Sequence, residues 1–139
     1  MGNMIFNFNK WAVCLSTMAV MGMIACVQSD SDEQDFESPR LTVMSPQEGQ
    51  VFKVGDTIHI MAMLTDNESL HEYAWGIYDT AGVIVPSNFG LAHDTKEHTM
   101  MGVYVVSGIT TATLWSVWVH ADDYEHNYED KTINIIVSP

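Results

Sequence analysis

The chain has 139 residues, with 18 acidic side chains against 5 basic ones and a formal net charge of −13. That balance excludes nucleic acid and anionic lipid head groups as natural partners and favours cations or a basic protein surface. Hydrophobic residues make up 47% of the sequence, but they are not spread evenly, and their distribution divides the chain.

Residues 1–25 carry one charge, Lys10, followed by the mostly apolar run Trp11–Ala25. The run is shorter than the ~20 residues a spanning helix needs. It ends on a small residue, as a secretory signal does at its cleavage site. Cys26 follows Met23-Ile24-Ala25, and the composition turns at once to Val27-Gln28-Ser29-Asp30-Ser31-Asp32-Glu33. The pattern resembles the lipobox of bacterial lipoprotein precursors, with Met23 where leucine is usual. The resemblance implies removal of residues 1–25, a diacylglycerol on the Cys26 sulfur and acylation of the new amino group. Two or three acyl chains make a stable anchor. It also implies a place in the bacterial cell envelope, on the periplasmic or surface face of a membrane, with the outer membrane expected.

Cleavage would take away five of the ten methionines and the other thiol, Cys14, leaving four basic and eighteen acidic residues and a net charge of −14. A methionine-rich copper protein becomes a poor reading. An exported domain without a disulfide has to be stable through its core. After the cysteine, Asp30, Asp32, Glu33, Asp35 and Glu37 stand among few apolar residues, so Cys26 is expected to be followed by a solvated, disordered tether to residue 39, whose thirteen residues reach roughly 40 Å when extended. A serine- and aspartate-rich stretch in this position resembles those of surface lipoproteins from Bacteroidetes-type bacteria, where it can act as an export signal to the outer leaflet.

Residues 40–139 suffice for one domain with one core. They read as short β-branched and aromatic runs separated by Gly, Pro, Asp and Asn. The predicted strands are 41–44, closed by Ser45-Pro46; 51–54, closed by Gly55-Asp56; and 57–64, with Ile58, Ile60, Ala62 and Leu64 on one face and His59, Met61 and Met63 on the other. Asp66-Asn67-Glu68-Ser69 is read as a turn into 71–78, where Tyr73, Trp75 and Ile77 share a face. Asp79-Thr80-Ala81-Gly82 is a hairpin loop into 83–85, and residues 87–97 are read as a polar loop. Strands over 98–106, 113–121 and 131–137 complete the set, the last two alternating as Trp115, Val117, Val119, Ala121 and Ile133, Ile135, Val137. Seven to eight short strands predict an all-β, immunoglobulin-like antiparallel β-sandwich, with a small barrel as the competing arrangement.

The markers Ser45-Pro46-x-x-Gly49, Gly55-Asp56-Thr57-Ile58, Asp66-Asn67, Trp115-x-Val117-x-Val119-x-Ala121-Asp122 and Asn127 resemble those of bacterial immunoglobulin-like and cadherin-like modules. They are similar in particular to the small, uncharacterised immunoglobulin-like lipoproteins of Bacteroidetes. These are fold markers, and they imply architecture rather than activity.

In such a sandwich the connections after 64, after 85 and after 121 converge on one end, bringing nine carboxylates and four of the six histidines together. Two metal readings stay open. Asp66, Asn67, Asp122, Asp123 and Asn127 would offer oxygens to calcium. His93, His98 and His126, with Asp94 or Asp122, would suit zinc or copper. The bland alternative is that these are wet loops and ordinary Asx turns. Trp118 points away from Trp115 on its strand and, with Met61 and Met63, would make an outward aromatic and methionine patch for an envelope protein or a glycan. No GxSxG motif or comparable nucleophile motif is present. The sequence is therefore read as a non-catalytic binding or accessory module at the cell envelope, with a divalent-metal-binding protein as the alternative.

Overall fold

The computed structural model describes residues 34–139. The expected signal segment 1–25, Cys26 and the stretch 27–33 lie outside the described residues. Six strands follow in order: β1 (Arg40–Ser45), β2 (Val51–Lys53), β3 (Thr57–Tyr78), β4 (Ile84–Val105), β5 (Thr113–Asp123) and β6 (Tyr128–Ser138).

β3 and β4 are long enough to belong to two layers. The first half of β3 pairs antiparallel with β1, Arg40 opposite Thr65 and Leu41 opposite Leu64, and with the second half of β4, Thr57 opposite Val105. The second half of β3 pairs with the first half of β4 on one side, Tyr78 opposite Ile84, and with β5 on the other, Trp75 opposite Val119. β6 continues that sheet antiparallel to β5, and β2 closes it parallel to β6. The result is a short sheet of three strand segments packed against a longer one of five.

Alternation decides what lies between the sheets. Leu41, Ile58, Ile60, Ala62, Leu64, Met100 and Val106 from the short sheet meet Trp75, Ile77, Trp115, Val117, Val119, Ala121, Ile135 and Val137 from the long one in a single buried cluster. Each aliphatic side chain buried this way contributes roughly 1.5–3 kcal/mol, so the core, without a disulfide between the sheets, accounts for the sandwich.

The immunoglobulin-like sandwich agrees with the expectation, but two of the expected breaks are absent. Asp66–Ser69 is not a turn between strands. It is a bulged stretch inside β3, where the pairing with β4 shifts register between Thr65 and Leu70. Residues 87–97 are not a loop but part of β4. Strands that change sheets do so through bulges and bends, and the polar residues 66–69 mark such a bend, where pairing lapses and resumes within one strand. Eight short runs thus become six strands. The hairpin at 79–82 stands as expected, with the Gly82 N–H donating to the Asp79 carbonyl and the Asp79 N–H to that of Val83.

The segment before β1 also differs from a free tether. Asp35 and Pro39 are buried, and the Asn127 side-chain amide donates to the Asp35 carbonyl at 3.0 Å. The ordered domain therefore takes in residues that composition alone assigns to the linker.

Candidate functional site

Two strand bends and one turn meet at one end of the sandwich: the β3 bend, the matching bend of β4, and the β5–β6 turn. Leu70 pairs with both Thr95 and Asp123, which sets the β3 bend between the other two. β1 starts at the same end.

The β5–β6 turn is built by one carboxylate. Asp123, only 1% exposed, accepts the Asn127 backbone N–H at 2.8 Å and its side-chain amide at 2.7 Å. Asn127 reaches on to Asp35, so the turn holds the segment before β1. Asp35 uses its Oδ1 for the Glu37 N–H at 2.9 Å, and Asp66 uses its Oδ2 for the Glu68 N–H at 2.9 Å. The other oxygens, Asp35 Oδ2 and Asp66 Oδ1, are buried without a hydrogen-bond partner. Asp35, Asp66 and Asp123 each present a carboxylate oxygen within 4.8 Å of the others.

A second group lies alongside. The Glu72 N–H donates to Asp122 Oδ1 at 2.9 Å, and His71 Nδ1 stands 3.9 Å from that oxygen. His71, Glu72 and Asp122 each offer a ligand atom within 4.8 Å of one another. Around His71 gather the rings of Tyr124 at 4.6 Å, His93 at 5.5 Å and His126 at 6.4 Å. His93 Nδ1 and the Tyr124 hydroxyl are hydrogen-bonded at 2.7 Å. Desolvation, followed by the nearby Asp94 carboxylate, holds the Tyr124 phenol above its usual pKa.

The residues expected as metal ligands thus separate. Asp66, Asp123 and Asn127 come together, and Asp35 joins them. Asp122 turns instead to His71 and Glu72. Asn67 is exposed, and its carbonyl accepts from Lys96 Nζ at 2.6 Å. The expected imidazole set of His93, His98 and His126 is not a set: His93 and His126 surround His71, while His98 is stacked on Tyr73 at 4.7 Å. Asp35 has no distinguishing mark in the sequence, since five acidic residues stand within 30–37. His71 and Glu72 are hidden by lying in a strand rather than in a loop.

The expected surface patch also divides. Met61 and Met63 lie on the outer face of the short sheet, with Met101, Val103 and Val105 exposed beside them on β4. Trp118 lies on the long sheet opposite Gly76. A residue's face alternates along its strand, but which sheet it joins depends on where the long strands cross over. Trp118 and Tyr78 meet edge to face, 6.5 Å apart with planes at 77°. With Ala74, Trp75, Ser87, Asn88 and Phe89 they line an open groove of ≈ 460 Å³. Asp130 Oδ1 fixes the indole by accepting Trp118 Nε1–H at 3.0 Å, and it also bonds His120 Nδ1 at 2.8 Å.

An all-β sandwich with immunoglobulin-like sheet order, an acidic end and an aromatic groove defines an immunoglobulin-like domain. The chain belongs to the family described as Domain of unknown function (DUF4625), whose model matches residues 24–135. Among curated proteins nothing matches. Among solved structures it is similar to the fibronectin(III)-like modules of Clostridium thermocellum CbhA, at 15% identity and TM-score 0.49 over 70% of this chain and 94% of that one. It is similar also to the CARDB domain of the PF1109 protein from Pyrococcus furiosus, solved in complex with di-metal ions, at 14% identity and TM-score 0.47 over 78% and 99%. The periplasmic chaperone SfaE matches at 15% identity and TM-score 0.44 over 73% and 57%. At these identities the likeness concerns the fold only.

Proposed function

We propose that the protein is a non-catalytic binding module, held on the bacterial cell envelope by lipid on Cys26, that takes a neutral glycan in the Tyr78–Trp118 groove. The groove carries the reading. Two aromatic rings at a right angle, an exposed Phe89, the Asn88 amide and the Ser87 hydroxyl combine apolar faces with hydrogen-bonding groups. A sugar ring needs both: its C–H face stacks on an aromatic, and its hydroxyls need donors and acceptors. No charged side chain lines the groove, which favours a neutral ligand over an anionic one. The Met23-Ile24-Ala25-Cys26 sequence and the acidic stretch after it support the anchor.

Tryptophan emission of the full chain, titrated with a panel of neutral oligosaccharides, tests the groove. Binding that is lost in Trp118→Ala and in Tyr78→Ala supports it. No response to any oligosaccharide, or binding indifferent to Trp118, turns the reading towards a protein partner. Metabolic labelling with an alkyne fatty acid tests the anchor: the parent should take up label and Cys26→Ser should not.

A further inference from the structure

Two carboxylate oxygens, Asp35 Oδ2 and Asp66 Oδ1, are buried without a hydrogen-bond partner. They come from segments thirty-one positions apart in sequence and meet a third carboxylate, Asp123, at the start of the β5–β6 turn. Asp35 is 9% exposed and Asp123 1%. Burying charge without compensation is costly, and buried charges are paired or coordinate metals. No pairing is offered by the protein: among the described residues the four ion pairs use Glu72, Asp122, Asp130 and Glu129, and none uses these three aspartates. Lys96 gives its ammonium to the Asn67 carbonyl, and Arg40 lines only the adjoining ≈ 210 Å³ depression beside Asp66.

We propose that Asp35, Asp66 and Asp123 form a calcium site that fastens the segment before β1 to the acidic end of the sandwich. Each of the three carboxylates offers an oxygen within reach of one shared ion, since two oxygens bound at about 2.4 Å to a calcium can stand as much as about 4.8 Å apart. The backbone holds them in place: each aspartate accepts a backbone N–H with one oxygen, from Glu37, Glu68 and Asn127 respectively. Two therefore turn a free oxygen inward, and Asp123 keeps unused lone pairs on oxygens already aligned by Asn127. The donors are all hard oxygens, with no imidazole or thiolate among the three, which selects calcium over zinc. Magnesium, which retains several waters, is satisfied by one or two carboxylates rather than three. The site is independent of the aromatic groove, which lies on the outer face of the long sheet.

The consequence is mechanical. Without the ion, three like charges repel one another, and the segment 34–39 is held against the β3 bend and the β5–β6 turn only by Asn127 and local packing. With it, the segment is closed onto both. Calcium would then set how firmly residues 34–39 stay closed on the sandwich.

Calorimetric titration of the EDTA-stripped full chain in detergent with calcium, magnesium and zinc chlorides tests the site. One calcium per chain is expected, with weaker magnesium binding, and the melting temperature should climb with calcium as mass action requires. Asp35→Asn and Asp66→Asn, which each keep an oxygen for the backbone N–H, should weaken calcium at least tenfold. In EDTA the same two variants should melt no lower than the parent, because each removes a repelling charge. His71→Ala should bind calcium as the parent does. Calcium should also slow cleavage after Glu37 by a glutamate-specific protease. A folded parent that shows neither heat nor a melting shift at 10 mM calcium overturns the proposal, as does an Asp35→Asn variant that binds like the parent.

Discussion

Gly102 lies beneath the indole of Trp75, so close that a Cβ on the glycine would stand 2.4 Å from Trp75 Cε2. Trp75 belongs to the long sheet and Gly102 to the short one, so the contact spans the sandwich. Gly102→Ala should destabilise the fold by about 1–3 kcal/mol, the usual cost of overpacking, read as a lower urea midpoint with an unchanged slope. Trp75→Leu combined with Gly102→Ala should be less unstable than the sum of the two single changes. Strict additivity would show that the indole is not what excludes the methyl group.

Glu129 and Lys131 reach from β6 to the start of β1. The Glu129 carboxylate accepts the Leu41 N–H and the Lys131 ammonium donates to the Leu41 carbonyl, while the two side chains pair at 3.3 Å. They satisfy the backbone of a strand that pairs only with β3, and so occupy an edge otherwise open to another strand. Hydrogen bonds to charged groups contribute about 1.5–3 kcal/mol. Glu129→Ala should therefore cost about 1–2 kcal/mol at part exposure, and a double-mutant cycle with Lys131→Ala should show coupling. Loss of β1 protection in amide hydrogen exchange would locate the effect.

His126 adopts a left-handed conformation, φ 65°, in the β5–β6 turn. A residue with a Cβ is disfavoured there, by roughly 1–2 kcal/mol, and glycine is not. His126→Gly should raise stability by a few tenths to about 1 kcal/mol in thermal unfolding. It should leave calcium binding unchanged, because the imidazole is not part of the aspartate cluster. A fall in stability would mean that packing of the imidazole near His71 outweighs the backbone strain.

Asp130 holds the Trp118 indole without lining the groove itself. Asp130→Ala should weaken oligosaccharide binding several-fold by freeing the ring, with little change in melting temperature, whereas Trp118→Ala should abolish binding. Equal losses from both would mean that Asp130 touches the ligand directly.

Tyr124 should titrate above an ordinary tyrosine in absorbance near 295 nm, since desolvation and then Asp94 both disfavour the phenolate. Asp94→Asn should bring it part of the way down. An unchanged curve would leave desolvation as the sole cause.

The strand faces were legible from the sequence because alternation follows directly from the pleat. Ile58, Ile60, Ala62 and Leu64 could only face one way, and they are buried as expected, as are Trp115, Val117, Val119 and Ala121. The convergence of acidic connections was also legible, because it follows from antiparallel strand order. Membership of the cluster was not. Asp35 looks like its neighbours in an acidic stretch, and only Asn127, ninety-two positions later, draws it in. Asp122 and Asp123 are adjacent in sequence but point to opposite faces of β5, so one joins His71 and the other joins Asp35 and Asp66.

Sequence alone determined the class of the domain, its strand faces and its net charge. These depend on local chemistry and on period. Tertiary structure decided that β3 and β4 each serve both sheets, that Trp118 faces away from Met61 and Met63, and that three aspartates share one buried space. Those outcomes turn on where two long strands bend, which is settled by contacts between residues far apart in the chain and leaves no periodic signal in the sequence itself.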